Sequence, residues 1–558
     1  MAVEGETSFG NGTEVSVLNE AGGREVPIYD HLTAQIAYIL ALYRHRQKAV
    51  ENIRKMISQY VASVRTSWGL VAAGARIINS GSLKNVKIGP DAVIEGAIRM
   101  ENGTINSCRQ DPVYIGPGVF AEDFIACSGS KITDGTIIYK CFVARQYSAE
   151  NSIYFANCGG FHGEACSVFA GPYTVTHHKS TLLIAGLFSF LNAGSGTNQS
   201  NHMYKLGPVH QGVIERGSKT ASDSYILWPA KVGPFTVVMG RHYKNSDTSD
   251  LPFSYLIEHE DESILVPGVN LRSVGTVRDA RKWPKRDRRK DPRKLDCINF
   301  KLLSPYTIQK MLNGCQLLRD LRATSGKNTE YFTYHNVRIK NTSLENGIKL
   351  YQIGIDKFLG NCLIKHLEDK QLANVEELRA ALTPQTSTGT GKWVDLAGLL
   401  APQESVQEML TDLENSTIST LEQLTESFRL MHNNYPVYEW TWAAGVLQQR
   451  LGKAIEEITP DDIIELATKW KQAVVELDHR LYADAKKEFT ATAQIGYGLD
   501  GEEETKRSDF EAVRGAFEKN SFVAEIEKHI ITKTKLCDEL ISRIEKLRGK
   551  SKYLSTKS

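Results

Sequence analysis

Residues 177–202 read HHKSTLLIAGLFSFLNAGSGTNQSNH: two adjacent imidazoles, an apolar run, a loop of glycine and small polar residues, and a third imidazole. An imidazole with a pKa of about 6.5 is largely neutral yet basic at pH 7, so His177, His178 and His202 are candidates for taking a proton from a hydroxyl or amine. The glycines of AGSGTNQSN and the amides of Asn198, Gln199 and Asn201 could donate hydrogen bonds to a developing oxyanion. Six of the fourteen histidines lie between His162 and His242, a local concentration. His162, His210 and His242 therefore join the candidate site as orienting or substrate-binding groups, and Lys179, Lys205 and Arg216 suit phosphate. Neighbours on a strand point to opposite faces, so spacing does not say which of His177 and His178 meets a groove.

The elements that position these groups follow from composition and rhythm. A chain of 558 residues implies several domains. Lys plus Arg (67) nearly balances Asp plus Glu (65), which argues against a nonspecific nucleic-acid binder. The N-terminus shows no basic and apolar leader, and no apolar run is long enough to span a bilayer, so a cytoplasmic protein is expected. Nine cysteines without a CxxC pair read as reduced thiols, and the five between Cys108 and Cys166 read as small core residues.

Of the 44 glycines, 27 fall in residues 1–240, where apolar residues recur every six positions: Val3, Phe9 and Val15; Ile88, Ile94 and Met100; Val232 and Val238. Gly-Pro follows an apolar residue in IGPDAVIEGAIRM, YIGPGVF, FAGPYTV and VGPFTVV. One inward aliphatic residue per short strand, then a corner whose φ suits glycine or asparagine, is the rhythm of a parallel β-helix. The sequence resembles the left-handed β-helix hexapeptide-repeat superfamily, with its trimeric acyltransferases, and in particular an uncharacterised bacterial family joining such a β-helix to a helical C-terminal region. The pattern starts in register at Val3 with no capping element ahead of it, as if the chain began inside a coil.

Leu32, Ile36, Ile39, Tyr43, Val50, Ile53, Ile57, Tyr60 and Val64 form a heptad seam broken at Arg46, suited either to a coiled coil between subunits or to one face of the β-helix. RDARKWPKRDRRKDPRK, residues 278–294, carries ten basic residues, three aspartates and two prolines. It reads as a solvated linker, with a phosphate or RNA site as the alternative. Residues 300–370 alternate helix, strand and helix, and TPQTSTGTGKWVD reads as a linker. ITPDDIIELATKW places Thr459 as N-cap and Pro460 at the first helical position. Ile526, Ile530, Lys533, Cys537, Leu540, Ile544 and Leu547 share one helix side, apolar except at Lys533, and YPVYEWTW reads as core.

The expected fold is a β + α multidomain chain. Residues 1–29 are β-helix coil, 30–66 one long amphipathic helix, 67–276 left-handed parallel β-helix, 277–383 a basic linker with mixed α/β connection, and 397–558 a helical bundle. Because residues 178–230 break the six-residue rhythm, they read as loops leaving the scaffold, where sites usually sit. The resemblance implies acyl transfer to a sugar or nucleotide-linked sugar, with a histidine base, acyl-CoA or acyl carrier protein as donor, no metal and a homotrimer. Two other classes stay open. One is a non-catalytic sugar-nucleotide-binding or assembly scaffold. The other is a zinc enzyme of carbonic-anhydrase-like β-helix type, disfavoured because no two of these histidines stand five apart.

Overall fold

The computed structural model describes residues 1–145, 148–160, 163–178, 180–200, 207–326 and 328–555, with side chains described except within 144–151 and beyond Leu547. The glycine-rich half is the expected left-handed parallel β-helix, a solenoid of about nine turns. Paired residues on successive turns are 18 apart at Phe169↔Leu187 and at Val213↔Lys231, three hexads per turn. The hexad residues Ile88, Ile94, Met100, Val232 and Val238 are fully buried along its axis. Corners stack as well: Asn85, Asn102, Asp123 and Lys140 all take positive φ and fall between paired rungs, where asparagine and aspartate bear the left-handed conformation best.

Residues 1–29 depart from the coil expected of them. Glu14–Ser16 and Glu25–Pro27 pair antiparallel, with Val15 opposite Val26, and the segment before them runs along the outside of the corner column. Asn85 Oδ1 accepts from the Glu4 N–H and Asn102 Oδ1 from the Gly10 N–H, both at 2.9 Å. Phe9 and Val15 kept the hexad spacing by chance of burial against the solenoid wall rather than within it.

The long helix is two helices, α1 (Ala34–Leu42) and α2 (Gln47–Val64), divided where Arg46 interrupts the seam. Their apolar face lies on the protein's own solenoid: Ile36, Ile39, Ile53 and Ile57 share a core with Ile125, Phe142, Ile153 and Phe169. Residues 278–294 begin in α3 (Val274–Lys282), which stops at Trp283, itself still helical in backbone, because Pro284 has no N–H to continue the hydrogen-bond ladder. The helices that follow are α4 (Pro305–Ser325), α5 (Asn341–Leu367), α6 (Val375–Leu382), α7 (Gln403–Glu414), α8 (Leu421–Asn433), α9 (Tyr435–Leu451), α10 (Pro460–Lys486), α11 (Glu503–Arg514) and α12 (Ser521–Ser555).

These helices divide between two sites. α7 and α8 return to α1 and α2, where the Arg46 guanidinium grips Glu414 and Gln407. α4, α5, α9, α10 and α12 pack at the C-terminal end of the solenoid, whose last edge is covered by hairpins Tyr255–Val266 and Tyr331–Lys340. The proposed linker at 383–395 is a packed element: Trp393–Leu396 pairs with Leu399–Pro402, and Trp393 is buried with its indole N–H on the Gly389 carbonyl. Thr459 caps α10 as the sequence suggests, and Lys533 keeps its place in the apolar stripe by lying 5.8 Å over the Trp470 ring. Tyr435, Trp440 and Trp442 are core.

Candidate functional site

Strands Val175–Thr176, Asn192–Ala193 and Lys219–Thr220 pair in parallel on one face of the solenoid, so the corners that follow them stack. The first corner carries His177 and His178, the second Gly194 and Ser195, the third Ala221 and Ser222, and together they line a shallow groove. Both histidines are exposed, with ring centroids 6.3 Å apart. His177 alone of the pair also lines a second, more enclosed cavity of about 510 Å³. The two cavities share His177, Asn192 and Lys219. Partial desolvation in the cleft, with the His178 ring and Arg286 adding to it, holds the His177 pKa below the ordinary imidazole value. The ring is therefore neutral at pH 7 and able to accept a proton.

The basic segment roofs this cavity. From α3 it runs back along the solenoid toward its N-terminal end and is pinned at each step. Lys219 Nζ donates to Asp279 at 2.6 Å, and the Tyr173 hydroxyl donates to the Trp283 carbonyl at 2.8 Å. Asn157 Nδ2 donates to Asp287, and Asn157 Oδ1 accepts from the Arg288 N–H, both at 3.0 Å. Ser128 Oγ donates to Asp291 at 2.7 Å, and the Lys290 N–H donates to Asp111 at 3.1 Å. The buried Asp296 ends the run by accepting from the N–H groups of Ala34 and Ala156. Burial pushes the Asp287 carboxyl upward, but hydrogen bonds from Arg289 and Asn157 outweigh it and take the pKa down to about 2. Burial raises the Asp296 carboxyl despite its two N–H donors. The expected free linker is thus a strap, and sequence reasoning missed it. Its signal was the three aspartates, which a purely solvated basic loop would not need.

The other sequence candidates divide plainly. Asn198 lies on Asn198–Ser200, a strand of the solenoid, and its side chain turns to the Gly196 carbonyl. Gln199 points into the solenoid, 2% exposed, with Oε1 accepting from the Ile184 N–H. Neither reaches the histidine corner, so the polar loop expected to hold an oxyanion is a wall of the coil. The described residues of the stretch expected to leave the scaffold, 180–200 and 207–230, include further strands of the solenoid. The pairing Gly186↔Gly212 is 26 residues long instead of 18, and this one lengthened turn broke the rhythm.

Arg216 is fully buried. Its guanidinium donates to the Asn299 carbonyl at 2.6 Å, pairs with Asp395 at 3.5 Å and lies 4.7 Å over the Phe190 ring, joining solenoid to hairpin. His242 is 1% exposed and meets Ser263 Oγ at 2.8 Å; burial depresses its pKa to about 4. It is a core histidine. His210 is half-buried and lines neither cavity. His162, Lys179, Asn201, His202 and Lys205 lie outside the described residues. Of the described imidazoles, His177 and His178 meet at the groove, while His210 and His242 lie elsewhere.

Cys127 and Cys158 line the cavity, but burial pushes both thiols up, Cys158 to about 12, which removes them as nucleophiles at neutral pH. Among the described residues no three His, Cys, Asp or Glu side chains gather as a metal site, and no helix is long and apolar enough to cross a membrane.

Residues 374–544 match a second family model, Domain of unknown function (DUF6819). An uncharacterized protein of Treponema pallidum (strain Nichols) is 24% identical over 482 residues. That match covers 78% of this chain and 64% of the relative, so the chain spans less than two thirds of the curated relative's length. Among solved structures, the Arabidopsis UDP-N-acetylglucosamine acyltransferase aligns over 47% of this chain and 85% of its own, at 13% identity and a TM-score of 0.18. The first family model covers residues 1–322, the solenoid, the strap and most of α4, and by that match the chain belongs to the family described as Domain of unknown function (DUF4954).

Proposed function

We propose that this protein transfers an acyl group from a thioester donor, acyl-CoA or acyl carrier protein, to a hydroxyl or amine of a sugar or nucleotide-linked sugar, with His177 as general base. The observation that carries the reading is the junction: a neutral imidazole, a side-chain amide and an ammonium stand where an enclosed cavity and an open groove meet. A two-substrate reaction needs such a meeting point, because the reacting atoms must approach while the bulk of each substrate lies elsewhere. His177 takes the acceptor proton as the oxygen or nitrogen attacks the thioester carbonyl. The C–S bond then breaks, the sulfur leaves, and the proton passes from His177 to the thiolate. Asn192, exposed beside His177, replaces Asn198 and Gln199 as the amide able to donate to the oxyanion.

The test is product formation by mass spectrometry with acetyl-CoA and longer acyl-CoA against UDP-sugars. His177→Ala should lower turnover by about 10²–10⁴-fold, the usual contribution of a positioned base, and His178→Ala by less than about tenfold. Turnover retained in His177→Ala overturns the assignment. Ligand-induced stabilisation without product would support the non-catalytic binding reading instead.

A further inference from the structure

The strap holds more positive charge than its own contacts neutralise. Of its ten basic residues, Arg278 pairs with Asp279, Arg281 with Glu525 and Arg289 with Asp287. Among the described residues, Lys282, Lys285, Arg286, Arg288, Lys290, Arg293 and Lys294 form no ion pair, and the strap's three aspartates are already engaged with Lys219, Arg289 and Ser128. Five of those seven cations, Lys282, Arg286, Arg288, Arg293 and Lys294, line the cavity. Like charges so close repel one another, and on a free loop they would spread into solvent. Here the backbone is fastened by the N–H groups of Arg288 and Lys290, the Trp283 carbonyl and three aspartates, so the charge is held in a concave site.

We propose that Arg286, Arg288, Arg293 and Lys294 form a diphosphate subsite, and that the ligand class is a small organic diphosphate such as a nucleoside diphosphate ester. A single carboxylate would leave most of the charge unanswered, whereas a diphosphate offers several oxygens to guanidinium forks. A cavity of about 510 Å³ is of small-molecule size, which favours a compact anion over a nucleic-acid strand. The inference deepens the proposed function by naming what its acceptor or donor carries, and its test does not require turnover.

The experiment is isothermal titration of the full chain with inorganic pyrophosphate, orthophosphate and a single-stranded oligoribonucleotide, at about 50 and 200 mM salt. Pyrophosphate should bind one per chain, about tenfold or more tighter than orthophosphate. Arg286→Glu with Arg293→Glu should weaken it by at least about tenfold, while Lys285→Glu, on the strap but outside the cavity lining, should change it less than about twofold. The exposed positions make unfolding by charge reversal avoidable; Arg286→Gln with Arg293→Gln, checked by circular dichroism, supplies a milder pair with the same expectation. Pyrophosphate binding is read without turnover, so a failed base assignment, seen only in product formation, and a failed phosphate assignment, seen in the titration, give different results. Absent pyrophosphate binding, equal affinity for the two phosphates, equal loss in Lys285→Glu, or tighter binding of the oligoribonucleotide would each overturn the proposal.

Discussion

Replacing His242 with asparagine should remove a specific part of the protein's acid sensitivity. His242 sits on Arg241–His242, buried against hairpin Tyr255–Val266, with Nδ1 on Ser263 and no partner for Nε2 among the described residues. Burial takes its pKa from about 6.5 in an unfolded chain down to about 4. The folded form thus binds the proton more weakly than the unfolded form. Its contribution is complete above pH 6.5 and declines as the pH falls toward 4. At pH 5 the unfolded imidazole is almost wholly protonated and the folded one almost wholly neutral, a difference of about 2 kcal/mol against the fold. Asparagine keeps a hydrogen-bonding atom near Ser263 and does not titrate, and every other titrating group is common to both proteins. Hydrogen exchange by mass spectrometry on peptides covering 237–266, corrected for intrinsic rates, should show about a 20-fold greater loss of protection between pH 7 and pH 5 in the parent than in His242→Asn. Equal losses in the two proteins would refute the assignment of His242 as a neutral core group.

Other expectations follow from contacts already described. Arg216→Met should destabilise the fold by about 3–5 kcal/mol by stranding Asp395, and the double variant Arg216→Met with Asp395→Leu should recover most of it, measured by urea unfolding. Asp296→Ala removes the acceptor of two backbone N–H groups, and tryptic cleavage within residues 278–294 should accelerate about tenfold. A Cβ on Gly212 would stand 2.2 Å from the Trp228 ring, so Gly212→Ala should lower the melting midpoint, at a cost of about 1–3 kcal/mol. Gly275→Ala, whose nearest new contact is 3.6 Å, should be neutral or stabilising.

The solenoid was legible because its inward residues obey a local rule: one large aliphatic side chain every six positions, with glycine or asparagine at the corner. Ile88, Ile94 and Met100 could be placed without knowing any distant partner. The same rule misled at Val3, Phe9 and Val15: Phe9 and Val15 are buried outside the coil and Val3 is only half-buried, yet all three keep the spacing. The site was less legible because it is made by contacts across more than a hundred residues. Nothing in the strap's sequence says that Asp287 meets Asn157 or that Asp291 meets Ser128. The same holds for Arg216, whose partners are Asn299, in a stretch read as helix, and Asp395, at the end of one read as a linker. Of the two adjacent histidines, only the path of the strap distinguishes His177, by closing a cavity over it.

A solenoid can ordinarily gain or lose whole turns without disturbing its neighbours, since each coil touches only the next. The strap removes that freedom between Asp111 and Lys219, because it is a tether of fixed length fastened at both ends and between. Deleting one coil there would move the fastening points by about 4.8 Å, the spacing of adjacent strands, and leave slack of more than one residue. Length variation among related chains should therefore collect outside this interval, in the coils near Arg76–Glu95, and the number of rungs beneath the strap should act as a gauge of the ligand it can hold.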